Sequence, residues 1–174
     1  CKQTNGNPNP ESTESGWQLF MVALATFPPS FDLKPHLMAY FVENLTHEIP
    51  NCAKYAEICL HRCPKICKLG ARRELPTRLE LETIRRGGVI TVRVFFLDGK
   101  YATLKADSWT TVRELEESVA SLLKIQNSEP FSLCEVSNTE EERVPDPDER
   151  ILDIISFWDR TANEAFAKGN FSEL

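Results

Sequence analysis

The longest apolar run in this 174-residue chain falls far short of the roughly 18 residues that a membrane-crossing helix needs, so no membrane span is expected. No Gly-rich phosphate loop ending in Gly-Lys-Ser or Gly-Lys-Thr occurs, which excludes that type of nucleotide-phosphate site from these residues. The paired, short-spaced ligands of a structural zinc site are missing, and so is the Asp-x-Asp-x-Asp-Gly spacing of a calcium loop. No metal or other cofactor is therefore expected. His36 and His47 stand alone, with no Ser or Cys nucleophile at a recognisable spacing, so no catalytic constellation emerges. The chain also begins at Cys1 without an initiating Met, and without a charged segment leading into an apolar one.

What is present is unevenly charged. Net charge is −6, but residues 1–88 carry 11 Lys+Arg against 9 Asp+Glu, and residues 89–174 carry 9 against 17. The change falls at Arg85-Arg86-Gly87-Gly88, where a helical pattern also gives way to a strand-like one, and this marks a domain boundary. Six cysteines and two glycosylation triplets, at Asn44 and Asn170, could suggest secretion. Against that, Cys59, Cys63 and Cys67 recur every four residues, which places them on one helix face where they cannot staple distant segments. They read as reduced, buried, small apolar side chains, with His61 off their face.

Asn5 to Ser15 reads as a loop of prolines, asparagines and small polar residues. From Gly16 the run Trp17, Leu19, Phe20, Met21, Val22, Leu24 and Phe27 suits a buried helix stopped by Pro28-Pro29. Asp32 is placed to cap a second helix carrying Leu33, Leu37, Tyr40, Phe41 and Leu45. A third is predicted over Cys52 to Leu69, ended by Gly70, with Pro64 kinking or breaking it. Thr77 and Glu80 form a capping-box pattern for a short fourth helix that ends at Gly87.

The apolar period then becomes two. Ile90, Val92, Val94 and Phe96 share one strand face, Asp98-Gly99 is a two-residue hairpin signal, and Ala102, Leu104 and Ala106 line the return strand. Thr111 with Glu114 caps a helix striped by Val112, Leu115, Val119, Leu122 and Leu123. A strand over Phe131 to Val136, an acidic loop over Thr139 to Glu149 and a helix carrying Ile151, Ile154, Ile155 and Trp158 complete the pattern. The fold class is α+β: an all-helical bundle followed by a β-grasp, ubiquitin-like module.

Several stretches carry a family resemblance. They are Lys2-Gln3-Thr4 with Asn7-Pro8, Gly16-Trp17, the Phe27-Pro28-Pro29-Ser30 break, and Leu75-Pro76-Thr77 leading to Glu80. In this order they resemble the C-terminal half of a myosin tail homology 4 domain, assigned to residues 1–88. Residues 89–174 resemble the first, ubiquitin-like lobe of a FERM domain without its last strand. The resemblance implies that Cys1 lies within a helix whose start is missing. It also implies a non-catalytic tail segment of a cytoskeletal motor, of unconventional-myosin type, in the cytoplasm. A plant calmodulin-binding kinesin and motor-free adaptors with pleckstrin-homology domains share the tandem and are the alternatives. Microtubules or cargo-protein tails are the implied partners. Actin and ATP would enter only through a motor domain outside these residues.

The residues that fit such a role are Lys54, Arg62, Lys65, Lys68, Arg72, Arg73, Arg78, Arg85 and Arg86. Against four acids, they give residues 54–88 a net charge of +5. A basic face attracts an acidic polymer through fields that salt screens. The competing reading is an ordinary solvated helix face. Nucleic acid is not expected, because the second module is acidic and no aromatic residues interleave the basic ones. The acidic loop reads as solvated surface.

Overall fold

The computed structural model describes residues 2–126, 131–136 and 141–167, with side chains through residue 164. It divides into two compact units: Cys1–Arg73 with Arg78–Val89, and Glu74–Thr77 with Ile90–Leu174.

The first unit is helical: α1 (Pro10–Thr26), α2 (Leu33–Glu43), α3 (Pro50–Leu69) and α4 (Arg78–Arg85). Helix α1 starts six residues before the expected Gly16. Asn9 is its N-cap, accepting from the Ser12 N–H at 3.2 Å, and Pro10 occupies the first turn. Asparagine followed by proline is a loop signal, but the same pair suits a helix start, where the missing proline N–H costs nothing. The preceding loop is tied to the helix: Gln3 Oε1 accepts from Ser12 Oγ at 2.9 Å, and Asn7 Nδ2 donates to the Gln3 carbonyl at 3.1 Å. Thr4 is buried, its hydroxyl accepts from Tyr40 Oη at 2.8 Å, and a Cβ on Gly16 would lie 2.7 Å from Thr4 Cγ2. Glycine stands mid-helix because the loop presses on it.

Helix α2 is not capped by the Asp32 side chain. Ser30 serves its start instead: its carbonyl accepts the Leu33 and Lys34 N–H groups, and its Oγ also accepts from Leu33. Trp17 stacks on Tyr40 with centroids 5.5 Å apart at 9°, and Phe20 meets Phe41 edge-on. Helix α3 runs unbroken through Pro64 and ends at Gly70, where φ is 77°. A proline inside a helix removes one backbone bond and crowds the carbonyl four residues back, together costing about 3 kcal/mol. Burial of Cys52, Tyr55, Ala56, Cys59, Cys63 and Ile66 along one side of α3 offsets it.

The second unit begins with an antiparallel hairpin, β1 (Ile90–Phe95) and β2 (Tyr101–Ala106), in register from Ile90↔Ala106 to Phe95↔Tyr101. Its loop has three residues, not two. Phe96 N–H donates to the Lys100 carbonyl, Gly99 N–H donates to the Phe96 carbonyl, and Gly99 adopts φ 80°. The extra residue gives the left-handed position to glycine, as in three-residue hairpins. Helix α5 (Val112–Leu123) has the expected capping box of Thr111 and Glu114. Val112 and Leu115 form the core with Ile151 and Ile154 of α6 (Ile151–Ala167), and Val92, Val94 and Leu104 pack on it.

The Phe131–Val136 strand is reduced to β3 (Glu135–Val136). It pairs with β4 (Glu142–Arg143), which lies inside the stretch read as an acidic loop. Arg143 draws this corner together, meeting Glu135 at 2.6 Å and Glu149 at 3.1 Å. The two carboxylates hold its guanidinium pKa above the ordinary value, Glu135 contributing most.

Candidate functional site

All nine basic residues of the expected binding face lie in the first unit, but the structure does not bring all nine to the surface. Helix α3 is built around its buried side, so its opposite side is available to charge. At about 100° per residue, Lys54, Lys65 and Lys68 fall within an arc of roughly 60° and span roughly 21 Å. All three are exposed, and exposed His61 sits in the same stripe. Cys59 and Cys63 face the other way with no measurable exposure. Their burial pushes the thiols up, Cys59 to about 12 and Cys63 to about 11, the latter helped by the neighbouring Cys67. Cys52, Cys59, Cys63, Cys67 and Cys134 are free thiols. Among the described residues, no group of three or more His, Cys, Asp or Glu side chains is placed to hold a metal ion.

Arg62 is half-buried on the flank of this stripe. On α4, Arg78 pairs with Glu82 at 3.1 Å and Arg85 donates to Gln18 Oε1 at 3.1 Å. Arg73, Arg85 and Arg86 are exposed. The Arg78–Glu82 pair is at the surface, where such contacts contribute only about 0.3–0.5 kcal/mol and can open to a competing anion.

Arg72 does not belong to this surface. Its side chain is 1% exposed and pairs with Glu80, itself 2% exposed, so its charge is spent inside the fold. Its backbone N–H donates to the Thr26 carbonyl at 2.8 Å, which turns the chain inward after α3. Charge counting along a sequence cannot separate an inward arginine from an outward one. A signal did exist: Glu80 stands four residues before Ile84, which puts it on the buried side of α4, where a carboxylate needs a cation.

The segment Glu74–Thr77 joins the second unit. Arg160 grips Glu74 with two bonds of 3.0 and 3.1 Å, and Asp153, buried, accepts from the Glu74 N–H at 3.4 Å. The sequence marks Thr77 as a helix cap and Leu75-Pro76-Thr77 as a motif, but gives Glu74, Asp153 and Arg160 no role, because a contact across 86 positions leaves no local pattern.

Residues 1–83 match the MyTH4 domain, and residues 88–172 match the RA like domain. The chain is a MyTH4 segment followed by a FERM-type lobe. The MyTH4-FERM MF1 domain of Dictyostelium discoideum Myosin VII is similar to it over 95% of this chain and 34% of that one, at 25% identity and a TM-score of 0.88. The human Myosin 7b C-terminal MyTH4-FERM domain, solved in complex with the harmonin-a PDZ3 domain, is similar over 92% of this chain and 33% of that one, at 25% identity and a TM-score of 0.71. The Arabidopsis thaliana Kinesin-like protein KIN-14E is 31% identical over 77% of this chain and 11% of its own length. The MyTH4–FERM segment thus spans about a tenth or less of the length of the curated relatives it matches first. Among the described residues, no helix is long and apolar enough to cross a membrane.

Proposed function

We propose that the chain is a non-catalytic binding segment of a cytoskeletal-motor tail of unconventional-myosin type. In this reading it works in the cytoplasm at the cytoskeleton and holds an acidic partner on the exposed basic face of α3 and α4. The partner is the microtubule surface or the tail of a cargo protein. Residues 1–88 and 89–174 serve as its two modules, and actin and ATP act only through a motor outside them. A kinesin tail with the same tandem is the second reading, favoured by the likeness to KIN-14E.

The observation that carries the proposal is the stripe of Lys54, Lys65 and Lys68, exposed on the side of α3 opposite its buried cysteines. Exposed ammonium groups in a row attract an acidic lattice, and at 0.1 M salt that attraction extends only about 10 Å. The net −8 of residues 89–174 opposes long-range attraction, so contact depends on the local face. The complex of a related MyTH4-FERM domain with a PDZ domain supports a partner-binding role of the module. Co-sedimentation with microtubules across a salt series tests the reading. Binding at 25 mM salt that falls steeply by 200 mM supports it, and absence of pelleting at 25 mM contradicts the polymer half.

A further inference from the structure

The hairpin of the second unit has an outward face as well as a core face. Its residues are the cross-strand pairs Phe95↔Tyr101, Arg93↔Thr103 and Thr91↔Lys105, all six exposed. Phe95 and Tyr101 meet with ring centroids 5.8 Å apart, and the Arg93 guanidinium lies over the Tyr101 ring at 5.5 Å. Leu97 stands fully exposed at the tip. The face therefore joins an aromatic pair to two cations and holds no acid, within a stretch, residues 89–174, whose net charge is −8. An exposed aromatic cluster rimmed by charge is a common form of interaction site.

We propose that this face docks an extended, acidic segment of a partner protein with the pattern apolar-x-acid-x-acid. This goes beyond the α3–α4 face and rests only on the proposed role of the chain in binding partner proteins. The pattern follows from the register. Successive rows of the face, aromatic, then Arg93, then Lys105, are two residues apart, or roughly 6.5 Å along a strand. An extended segment laid along them repeats at the same interval, so one apolar side chain meets Phe95 and Tyr101 while the next two outward-facing acids meet Arg93 and Lys105. Because Arg93 is already stacked on Tyr101, little side-chain freedom is lost on binding. A membrane surface or a nucleic acid would present many anions over a wide area, and the surrounding net −8 repels both. A short peptide feels chiefly the local face.

The test is an NMR titration of the full chain with the synthetic peptide Gly-Phe-Ser-Glu-Ser-Glu-Gly and its Glu→Gln analogue. Supporting results are amide shifts centred on Arg93, Phe95, Tyr101 and Lys105, affinity at least tenfold lower for the analogue, and affinity at least tenfold lower in an Arg93→Glu, Lys105→Glu variant with an unchanged circular dichroism spectrum. A Lys54→Glu, Lys65→Glu, Lys68→Glu variant must bind the peptide as the parent does, which separates this site from the α3 face. Equal binding of both peptides, or shifts confined to other residues at millimolar peptide, overturns the proposal. So does Leu97-dependent binding to phosphatidylserine vesicles with no response to the peptide.

Discussion

Arg72 and Glu80 meet as an ion pair that is almost entirely shut off from water, eight residues apart across the turn between α3 and α4. The pair removes one cation from the basic face and fixes the entry to α4. Taking two charges out of water is costly, and each partner makes the other tolerable. Removing one leaves an uncompensated buried charge. Arg72→Ala or Glu80→Ala should therefore lower stability by about 3–5 kcal/mol. The double change to apolar residues of similar volume, Arg72→Met with Glu80→Leu, should cost much less than the sum of the single changes. Urea denaturation of the four proteins checks this. Additive losses would show that the two residues do not act as a pair.

Gly16 offers a second test, because two opposing effects meet there. Alanine should gain about 1 kcal/mol in helix propensity. Its Cβ would come 2.7 Å from Thr4 Cγ2, and Thr4 cannot swing away, being buried and held by Tyr40. We expect Gly16→Ala to be destabilising by about 1 kcal/mol or more, as overpacked sites are. Adding Thr4→Ser removes the offending methyl while keeping the hydroxyl, and should recover most of the loss. Thermal unfolding of the single and double variants measures both. A Gly16→Ala protein more stable than the parent would contradict the packing described for the loop.

Helices with strong apolar stripes and the period-two hairpin could be read from the sequence, because the core imposes its period on every residue it touches. The misses came where one residue type serves two purposes. Asn9-Pro10 is loop chemistry and helix-start chemistry at once, and only the bonds to Ser12 decide between them. Asp32 and Ser30 are both capable caps two residues apart, and the chain starts its turn at Ser30. Strand β4 is two acidic-loop residues long, too short for any alternation to show. The candidate face was legible as charge but not as surface. Lys54, Lys65 and Lys68 share an exposed stripe because the cysteines opposite are buried, whereas Arg72 obeys a partner that only folding brings near.

The cysteines make the stability pH-dependent in the alkaline range. A thiol raised from about 9 to about 12 by burial, as at Cys59, stays protonated in the folded chain while the unfolded chain ionises. The unfolded state then binds fewer protons, so stability falls as pH rises. The stabilisation is complete below about pH 9 and is lost progressively from there toward pH 12, with Cys63 adding its part up to about 11. Denaturant midpoints should decline between pH 8.5 and 10, and Cys59→Ala should reduce that decline. At pH 8, exposed Cys134 should react quickly with a thiol reagent, and Cys52, Cys59 and Cys63 only on unfolding. Rapid modification of Cys59 in the folded protein would contradict its burial.

The alternation of β1 gives a paired prediction. Val94 is half-buried against the core of Val112, Leu115, Ile151 and Ile154, while Thr91 faces outward. Val94→Asp should destabilise the second unit by at least about 2 kcal/mol, because its carboxylate would lose water without gaining a partner. Thr91→Asp should shift stability by less than about 1 kcal/mol. Hydrogen exchange on the hairpin amides compares the two. Equal protection in both variants would mean that the inner and outer faces are not distinct.

The proposed function places binding of an acidic partner on the α3–α4 face rather than on the chain's charge as a whole. Its most direct measurement is co-sedimentation with microtubules at low salt, comparing the parent with Lys54→Glu, Lys65→Glu and Lys68→Glu combined. Arg72 stays untouched because its charge maintains the fold. A control reverses three exposed charges of the second unit outside the outward face of the hairpin, Lys100, Arg113 and Lys124. Both variants change net charge equally, so any difference between them is a property of place. The first variant should lose pelleting by at least tenfold while keeping its circular dichroism spectrum, and the control should lose far less. Equal pelleting of the parent and the first variant, or equal losses in both variants, would contradict it.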